Sequence, residues 1–202
     1  MRAGLFPGVK AKSHGRRKEK SYASKKKSYT RYFDSSIHDR GEIANQRGRL
    51  GDYEGDTVYG SVGKGYLITG VDRQSRLTVA AIARDKTIES TNAAFIAAFR
   101  KAKLVPPITL TLDNGTEFLG FKDLEQALGT KVYFADAHAP WQRGSNENIN
   151  GLIRFFFPRG TDFTKVTDEQ LDAVLELINN RPRKCLGYLS PNEFINKVLH
   201  LA

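Results

Sequence analysis

Three stretches of the sequence carry acidic side chains at positions where they could act together. In the first, Gly51 to Val58, the acids Asp52, Glu54 and Asp56 alternate and would share one face of a β-strand. Strands seldom carry acids so closely spaced, because neighbouring like charges repel. A solvated strand face explains the pattern equally well, so this stretch alone does not establish a site.

Asp113 closes the apolar stretch Ile108 to Leu112 and is followed at once by Asn114-Gly115. Open α/β sheets place ligand-binding groups at the carboxyl ends of their strands. The alternative is an ordinary Asp-Asn-Gly turn, in which a short polar side chain bonds its own backbone. Neither interpretation outweighs the other on this stretch alone.

Glu147 falls in the first turn of a predicted helix that Ser145 could cap. Asn150 and Arg154 follow at helical offsets, so that Glu147, Asn150 and Arg154 would line one face of this helix. Helix capping alone would account for Glu147, and chance could supply the two donors.

One chemistry would use all three stretches. Mg²⁺ prefers oxygen ligands, and three carboxylates from separate elements can hold two such ions. Two ions about 4 Å apart stabilise the attacking and leaving oxygens of an in-line phosphoryl displacement. We therefore expect two Mg²⁺ ions, with Mn²⁺ as a substitute, and no organic cofactor. The sequence has no Walker loop, no Gly-x-Ser-x-Gly elbow and no His-Glu-x-x-His helix.

The charge of the 202-residue chain is unevenly distributed. Its formal net charge is +10, with 14 Lys and Arg against 4 Asp and Glu in residues 1–50, and 18 against 18 in residues 51–202. A basic segment beside a neutral body favours nucleic acid as the partner, with an acidic membrane surface as the competing interpretation. No apolar run approaches the ~20 residues that span a bilayer, so we expect no membrane insertion.

The chain divides into two parts. Residues 1–50 are predicted to be a basic, largely flexible arm, in which Lys25, Lys26 and Lys27 are candidate DNA contacts. Residues 51–202 are predicted to form the folded core, with helices at its carboxyl end. The single cysteine, Cys185, excludes disulfides within one chain.

Hydrophobic periodicity predicts an α/β fold in the core. Three strands in a row followed by alternating helices and strands, in the order βββαβαβ, indicate a mixed sheet with helices on both faces. The predicted strands are Glu54–Tyr59, Gly65–Arg73, Leu77–Ala83, Ile108–Leu112 and Val132–Ala135, and the predicted helices are Thr87–Lys103, Phe121–Leu128, Ser145–Phe156 and Asp168–Asn180.

Four stretches of the sequence resemble the transposases of the insertion-sequence-30 family, which belong to the retroviral-integrase-like superfamily. They read GDYEGDTVYG at 51–60, TLDNGTEF at 111–118, PWQRGSNENINGLIRFFFPRGTDF at 140–163 and NNRPRKCLGYLSPNEF at 179–194. The resemblance implies an RNase H-like fold with a five-stranded sheet. It also implies a metal-dependent enzyme that cleaves DNA and transfers strands.

The resemblance implies that Asp56, Asp113 and Glu147 are the catalytic, metal-binding triad, with Asp52 and Glu54 as possible substitutes for Asp56. The expected partners are double-stranded DNA at element ends and target, and further copies of the chain bound to that DNA. No membrane and no small-molecule substrate are expected, and the expected location is the bacterial cytoplasm or nucleoid.

Several side chains near the triad are candidates for binding DNA or for supporting the catalytic helix. Arg143 and Arg154 could hold DNA phosphates, and Asn150 is a further candidate DNA contact. Trp141 could pack under the catalytic helix or stack on a base, and packing is favoured because large aromatics are usually part of the core.

Full members of this family carry an N-terminal helix-turn-helix region, and residues 1–50 lack its apolar periodicity. We therefore expect a truncated copy or fragment. A nonenzymatic DNA-binding remnant is the alternative function. An RNase H-like nuclease acting on RNA–DNA hybrids is a third, which the long match at 140–163 argues against.

Overall fold

A single mixed sheet lies at the centre of the molecule, for which a computed structural model describes residues 35–101 and 103–200. Within these residues the sheet has five strands: β1 (Asp52–Tyr59), β2 (Tyr66–Asp72), β3 (Thr78–Ala83), β4 (Thr109–Leu112) and β5 (Lys131–Phe134). The spatial order is β3-β2-β1-β4-β5. The first three strands pair antiparallel, whereas β1 with β4 and β4 with β5 pair parallel. The carboxyl ends of β1, β4 and β5 therefore lie at one edge of the sheet.

Five longer helices accompany the sheet: α1 (Ile88–Lys101), α2 (Phe121–Leu128), α3 (Gly144–Phe156), α4 (Asp168–Asn179) and α5 (Pro191–His200). Helices α1 and α3 cover opposite faces of β1. On the α1 face, a Cβ added at Gly55 would lie 3.1 Å from the Phe95 ring and 2.6 Å from Leu112, so α1 approaches too closely for a larger residue there.

On the other face, the side chains of α3 and α4 form a hydrophobic core with the sheet. Its buried members are Val58, Leu67, Val71, Ala80, Ile149, Ile153, Phe157, Phe163, Leu171, Leu175 and Ile178. Because side chains alternate along a strand, Val58 on this face places Asp52, Glu54 and Asp56 on it too.

Residues 35–50, the last part of the predicted basic arm, lie against the sheet and contain two short helical segments. These are a 3-10 helix at Ile37–Asp39 and a single α-helical turn at Glu42–Asn45, where no regular structure was expected. Arg40 is buried and donates from Nη1 to Thr111 Oγ1 over 2.8 Å. The rest of the predicted arm, including Lys25, Lys26 and Lys27, lies outside the described residues.

The predicted α/β, RNase H-like class with a mixed five-stranded sheet and helices on both faces is confirmed. Strand β1 begins at Asp52, two residues before its predicted start. Helix α5 was not predicted individually, although its capping box is readable: Ser190 Oγ accepts from Glu193 N over 3.2 Å, and Glu193 Oε2 accepts from Ser190 N over 2.7 Å. No helix in the described part of the chain is long and apolar enough to cross a membrane.

Candidate active site

Two of the three predicted acids meet at the carboxyl edge of the sheet. Asp56 projects from β1, and Asp113 follows the last residue of β4. The guanidinium of Arg143 lies between them: its Nη1 is 3.4 Å from Asp56 Oδ1, and its Nη2 donates to Asp113 Oδ2 over 3.2 Å. Nη1 also donates to the Gly55 carbonyl over 3.1 Å. One cation therefore serves two carboxylates that come from separate strands.

The Asp56 carboxylate is largely enclosed, with 22% of its side chain exposed. Oδ1 accepts from Thr57 N over 2.8 Å, and Oδ2 accepts from Asn150 Nδ2 over 2.7 Å. Burial raises the pKa of Asp56 above its ordinary value, Arg143 and the Thr57 amide oppose the rise, and the Asp113 charge adds to it. A cation beside this carboxylate is consequently stabilising.

Asp113 is held by its own turn. Its Oδ1 accepts from Gly115 N over 2.9 Å, which is the local bond expected of an Asp-Asn-Gly turn. The side chain is nevertheless 42% exposed, and its Oδ2 faces Arg143. The turn bond is therefore present, and it leaves the second carboxylate oxygen to contact Arg143, which also lies beside Asp56.

Asp52 and Glu54, the possible substitutes for Asp56, are fully buried and already have partners. Asp52 accepts from Arg49 Nε and Nη2 over 3.0 and 3.1 Å, and from Thr109 Oγ1 over 2.7 Å. Glu54 is paired with Arg73, whose side chain is 7% exposed. These two acids serve the structure, and Asp56 is the acid of β1 that faces Asp113.

Glu54 also fixes the start of α3. Its Oε2 accepts from the backbone N–H groups of Ser145 and Asn146 over 2.9 and 3.3 Å, and its Oε1 accepts from Ser145 Oγ over 3.2 Å. A carboxylate at a helix N-terminus satisfies N–H groups that have no partner within the helix. The strand that carries Asp56 is thereby joined to the helix that carries Glu147.

Glu147, the third predicted acid, is exposed and makes no hydrogen bond or ion pair with any described residue. It lies four residues after Arg143 and three before Asn150, both of which contact Asp56, so it belongs to the helix face turned towards the aspartates. Within residues 35–101 and 103–200, no three Asp, Glu, His or Cys side chains are close enough together to hold a metal ion. The structure therefore brings together Asp56 and Asp113 around Arg143, and within the described residues it does not bring Glu147 into a three-acid cluster with them.

Two predicted DNA contacts on α3 keep polar atoms buried without a partner. These are Oδ1 of Asn150 and Nη1 of Arg154. Burial lowers the pKa of Arg154, and the neighbouring Arg159 lowers it further. Arg143, predicted to hold a phosphate, contacts the carboxylates of Asp56 and Asp113 in this structure.

The expectation that Trp141 packs under the catalytic helix was wrong. The residue belongs to the 3-10 turn Pro140–Arg143 that leads into α3, and it is 76% exposed. The buried face of α3 is filled by Ile149 and Ile153, which leaves no place for the indole. Trp141 thus stands in solvent two residues before Arg143.

Sequence reasoning missed a further acid near the site. Glu117 is 3% exposed, and its Oε1 is 2.9 Å from Tyr59 Oη and 3.2 Å from Lys86 Nζ. Its Oε2 is buried without a partner. A Cβ at Gly115 would lie 2.6 Å from this oxygen and 3.0 Å from Asp113 Oδ1, so the two acids flank one glycine. The sequence signal that could have indicated Glu117 is its position four residues after Asp113.

An open cavity of about 380 Å³ lies beside Asp113. Arg143 forms one side of it, and the loop after β5 forms another, with Asp136 and His138 among its lining residues. His138 has a left-handed backbone, with φ of 64°. Asp113 is thus accessible from solvent through this opening.

Part of the chain is similar to known proteins. Residues 47–140 match the integrase core domain family. The chain is 41% identical over 165 residues to the transposase for insertion sequence element IS4351 of Bacteroides fragilis, covering 81% of this chain and 50% of the relative. It is 40% identical over 161 residues to the transposase InsI for IS30A of Escherichia coli (strain K12), covering 80% and 42%. The chain thus spans about half the length of these curated relatives.

Two solved structures share the fold. The catalytic core domain of HTLV-2 integrase, in complex with magnesium, superposes with a TM-score of 0.53 at 19% identity, covering 72% of this chain and 97% of that one. A chain of the simian T-cell lymphotropic virus intasome, in complex with the PP2A regulatory subunit B56 gamma, gives a TM-score of 0.57 at 20% identity, covering 72% of this chain and 54% of that one. At these identities the likeness establishes the fold alone.

Proposed function

Because this chain carries an integrase core domain of the kind found in insertion-sequence-30 family transposases, we propose that it is the catalytic core of a DNA transposase. The reaction is phosphodiester hydrolysis at element ends, followed by transesterification into target DNA. The observation that carries this proposal is the meeting of Asp56 and Asp113 around one cation, the Arg143 guanidinium.

The residues present fit a divalent metal ion. Asp56 and Asp113 offer carboxylate oxygens, the buried Asn150 Oδ1 has no hydrogen-bond partner, and Glu147 is exposed and unpaired. Hard cations such as Mg²⁺ and Mn²⁺ take such oxygen donors. We assign Asp56, Asp113 and Glu147 as the ligands of two ions, which requires Arg143 to leave the carboxylates and Glu147 to turn towards them.

Each residue then has a distinct part in the reaction. When bound, the metal ions supply charge stabilisation for the attacking and leaving oxygens. Asp56 is held in place by Thr57 and Asn150, and Asp113 by its turn, so both carboxylates are oriented before DNA binds. Once displaced, Arg143 lies where it can bind a phosphate oxygen of the strand being cut.

The proposed substrate is double-stranded DNA, both the element ends and the target. The net charge of +10 supports an anionic polymer as partner. Joining two ends requires two active sites, so we propose that copies of the chain assemble on DNA. The relatives include proteins of Bacteroides fragilis and Escherichia coli, which supports action in the bacterial cytoplasm.

The test is nicking and strand transfer by the purified chain. A pre-cleaved donor oligonucleotide and a supercoiled target are incubated with Mg²⁺ or Mn²⁺. We expect Asp113→Asn and Glu147→Gln to reduce joining by more than about 100-fold, because loss of even an outer-shell metal partner costs 10- to 100-fold. DNA binding, measured by fluorescence anisotropy, should stay within about twofold of that of the wild-type chain.

Asp172→Asn is the matched control, since it removes an exposed carboxylate that pairs with Lys101 far from the site. Its joining rate should equal that of the unmodified chain. Wild-type joining rates in both Asp113→Asn and Glu147→Gln would refute the triad assignment. A chain that binds DNA but joins none with either metal would instead support a nonenzymatic DNA-binding role.

A further inference from the structure

Three arginines converge on a second cavity, beside the start of α3. Arg47 comes from the loop before β1, Arg76 from the turn between β2 and β3, and Arg183 from the loop after α4. The cavity measures about 250 Å³, and its remaining lining residues are Gly144, Ser145, Asn148, Ile149 and Cys185. None of the lining side chains is acidic, so the cavity carries three positive charges.

These arginines have no carboxylate partner among the described residues. Arg76 Nη1 donates to Ser145 Oγ over 2.5 Å, and Arg183 Nη2 donates to the Ile178 carbonyl over 3.0 Å. Nε of Arg183 is buried without any acceptor. Glu54, which accepts from Ser145 Oγ, is already paired with Arg73. Three half-buried guanidinium groups with no carboxylate partner, one of which has a buried Nε without an acceptor, favour an anion between them.

Burial lowers the pKa of Arg183, and the charge of Arg181 lowers it further. Both effects disfavour the charged guanidinium. Arg47 and Arg76 also have left-handed backbones, with φ of 58° and 64°. Residues other than glycine seldom adopt such angles, so two of the three arginines reach the cavity from uncommon backbone conformations.

The geometry points to a binding site for one DNA phosphodiester in the cavity formed by Arg47, Arg76 and Arg183. The inference rests on the proposed function, because it is the DNA substrate that supplies the anion. A planar guanidinium pairs two donors with the oxygens of a phosphate group, which makes arginine suited to this ligand.

The cavity lies on the flank of α3 away from the aspartates. Gly144, Ser145 and Asn148 line the cavity, whereas Glu147 and Asn150 belong to the face turned towards Asp56. The diameter of a helix with its side chains is about 10–12 Å, and each nucleotide of duplex DNA advances about 3.4 Å. The bound phosphate would therefore lie roughly three nucleotides from the one that is cut.

The test measures DNA affinity as a function of salt concentration. Full-length chain and the Arg47→Gln/Arg183→Gln double variant are titrated with a labelled duplex by fluorescence anisotropy between 50 and 200 mM salt. Each lost phosphate contact should make the slope of log K against log salt shallower by about 0.9. The ratio of the DNA affinity of the wild-type chain to that of the variant should thus fall about threefold between 50 and 200 mM salt.

Arg84→Gln/Arg100→Gln is the matched control, because it removes two exposed charges elsewhere on the core. Its slope should change less than that of the cavity variant, and equal slopes in the two variants would overturn the inference. Arg183→Lys keeps the positive charge, so its salt slope should be closer to that of the wild-type chain than the slope of the Arg47→Gln/Arg183→Gln variant is. Circular dichroism verifies that each variant is folded.

Neutral methylphosphonate linkages, placed one at a time along the duplex, identify the phosphate. At one position the substitution should weaken binding by the wild-type chain and leave the Arg47→Gln/Arg183→Gln variant unaffected. If no position behaves this way, or if inorganic phosphate binds the cavity without competing with DNA, the cavity is not a DNA contact. Both results are independent of the joining assay, so this inference can fail while the proposed function stands.

Discussion

Replacing Glu54 by Gln tests whether this acid of β1 has a structural role, distinct from the catalytic role proposed for Asp56. The substitution keeps the shape of the side chain and removes its charge. Arg73 is 7% exposed and pairs with Glu54, while its Nε and Nη2 donate to the carbonyls of Ala44 and Asn45 over 3.0 and 3.4 Å. After the substitution the buried guanidinium keeps two carbonyl acceptors and loses its carboxylate.

Breaking a buried ion pair by removing one partner costs about 3–5 kcal/mol. The loss of a negative charge at the first turn of α3 adds to this, because Ser145 N and Asn146 N donate to the same carboxylate. We therefore expect Glu54→Gln to lower the free energy of unfolding by at least about 3 kcal/mol. For a chain of this size, that corresponds to a fall in Tm of roughly 6–12 °C.

The assay is urea unfolding at 25 °C, with Asp172→Asn as control. The Lys101–Asp172 pair is 43% and 51% exposed, so its loss should change stability by about 0–1 kcal/mol. If Glu54→Gln unfolds within 1 kcal/mol of the wild-type chain and yet abolishes strand joining, the reasoning is refuted. Glu54, not Asp56, would then be the metal ligand on β1.

Two further predictions concern Asp72 and Trp141. Burial raises the pKa of Asp72 despite its hydrogen bonds from Ser75 and Gly51. The stability that this residue contributes is therefore full below the ordinary aspartate pKa and falls as pH rises through the raised pKa. In urea unfolding, Asp72→Asn should destabilise the chain more at pH 4 than at pH 7, and a loss of stability that grows with pH would contradict this. Trp141 is 76% exposed, so Trp141→Ala should change the free energy of unfolding by less than about 0.5 kcal/mol. If the indole stacks on a base of the proposed DNA substrate, the same variant should bind DNA more weakly by about 1–3 kcal/mol in the anisotropy assay, whereas an unchanged DNA affinity would exclude stacking.

The alternation of acids in β1 was enough to predict the face that they share, because the period of a strand is fixed by its backbone. It could not reveal which acid remains available for chemistry. That depends on Arg49 and Arg73, which approach Asp52 and Glu54 from loops whose paths follow from tertiary packing. The sequence therefore predicts the candidates, and the fold selects among them.

Arg143 and Trp141, which precede α3, also show that contacts between distant parts of the chain were not predictable from the sequence. The sequence suggested Arg143 as a phosphate contact, but it did not predict that this residue lies between Asp56 and Asp113. The preference of large aromatics for the core predicted a buried Trp141, but Ile149 and Ile153 already fill that side of the helix. Both outcomes depend on contacts between elements distant in sequence.

The position of Arg143 links two binding equilibria. At the proposed metal site, a divalent ion arriving at Asp56 and Asp113 would have to compete with the guanidinium of Arg143, which would lower its apparent affinity. Any ligand that draws Arg143 away, such as a phosphate of bound DNA, removes this competition. Thermodynamic reciprocity then requires that the ion strengthen the binding of that ligand by the same factor. Substrate and metal would accordingly load cooperatively, and metal ions alone would occupy the site only at higher concentration.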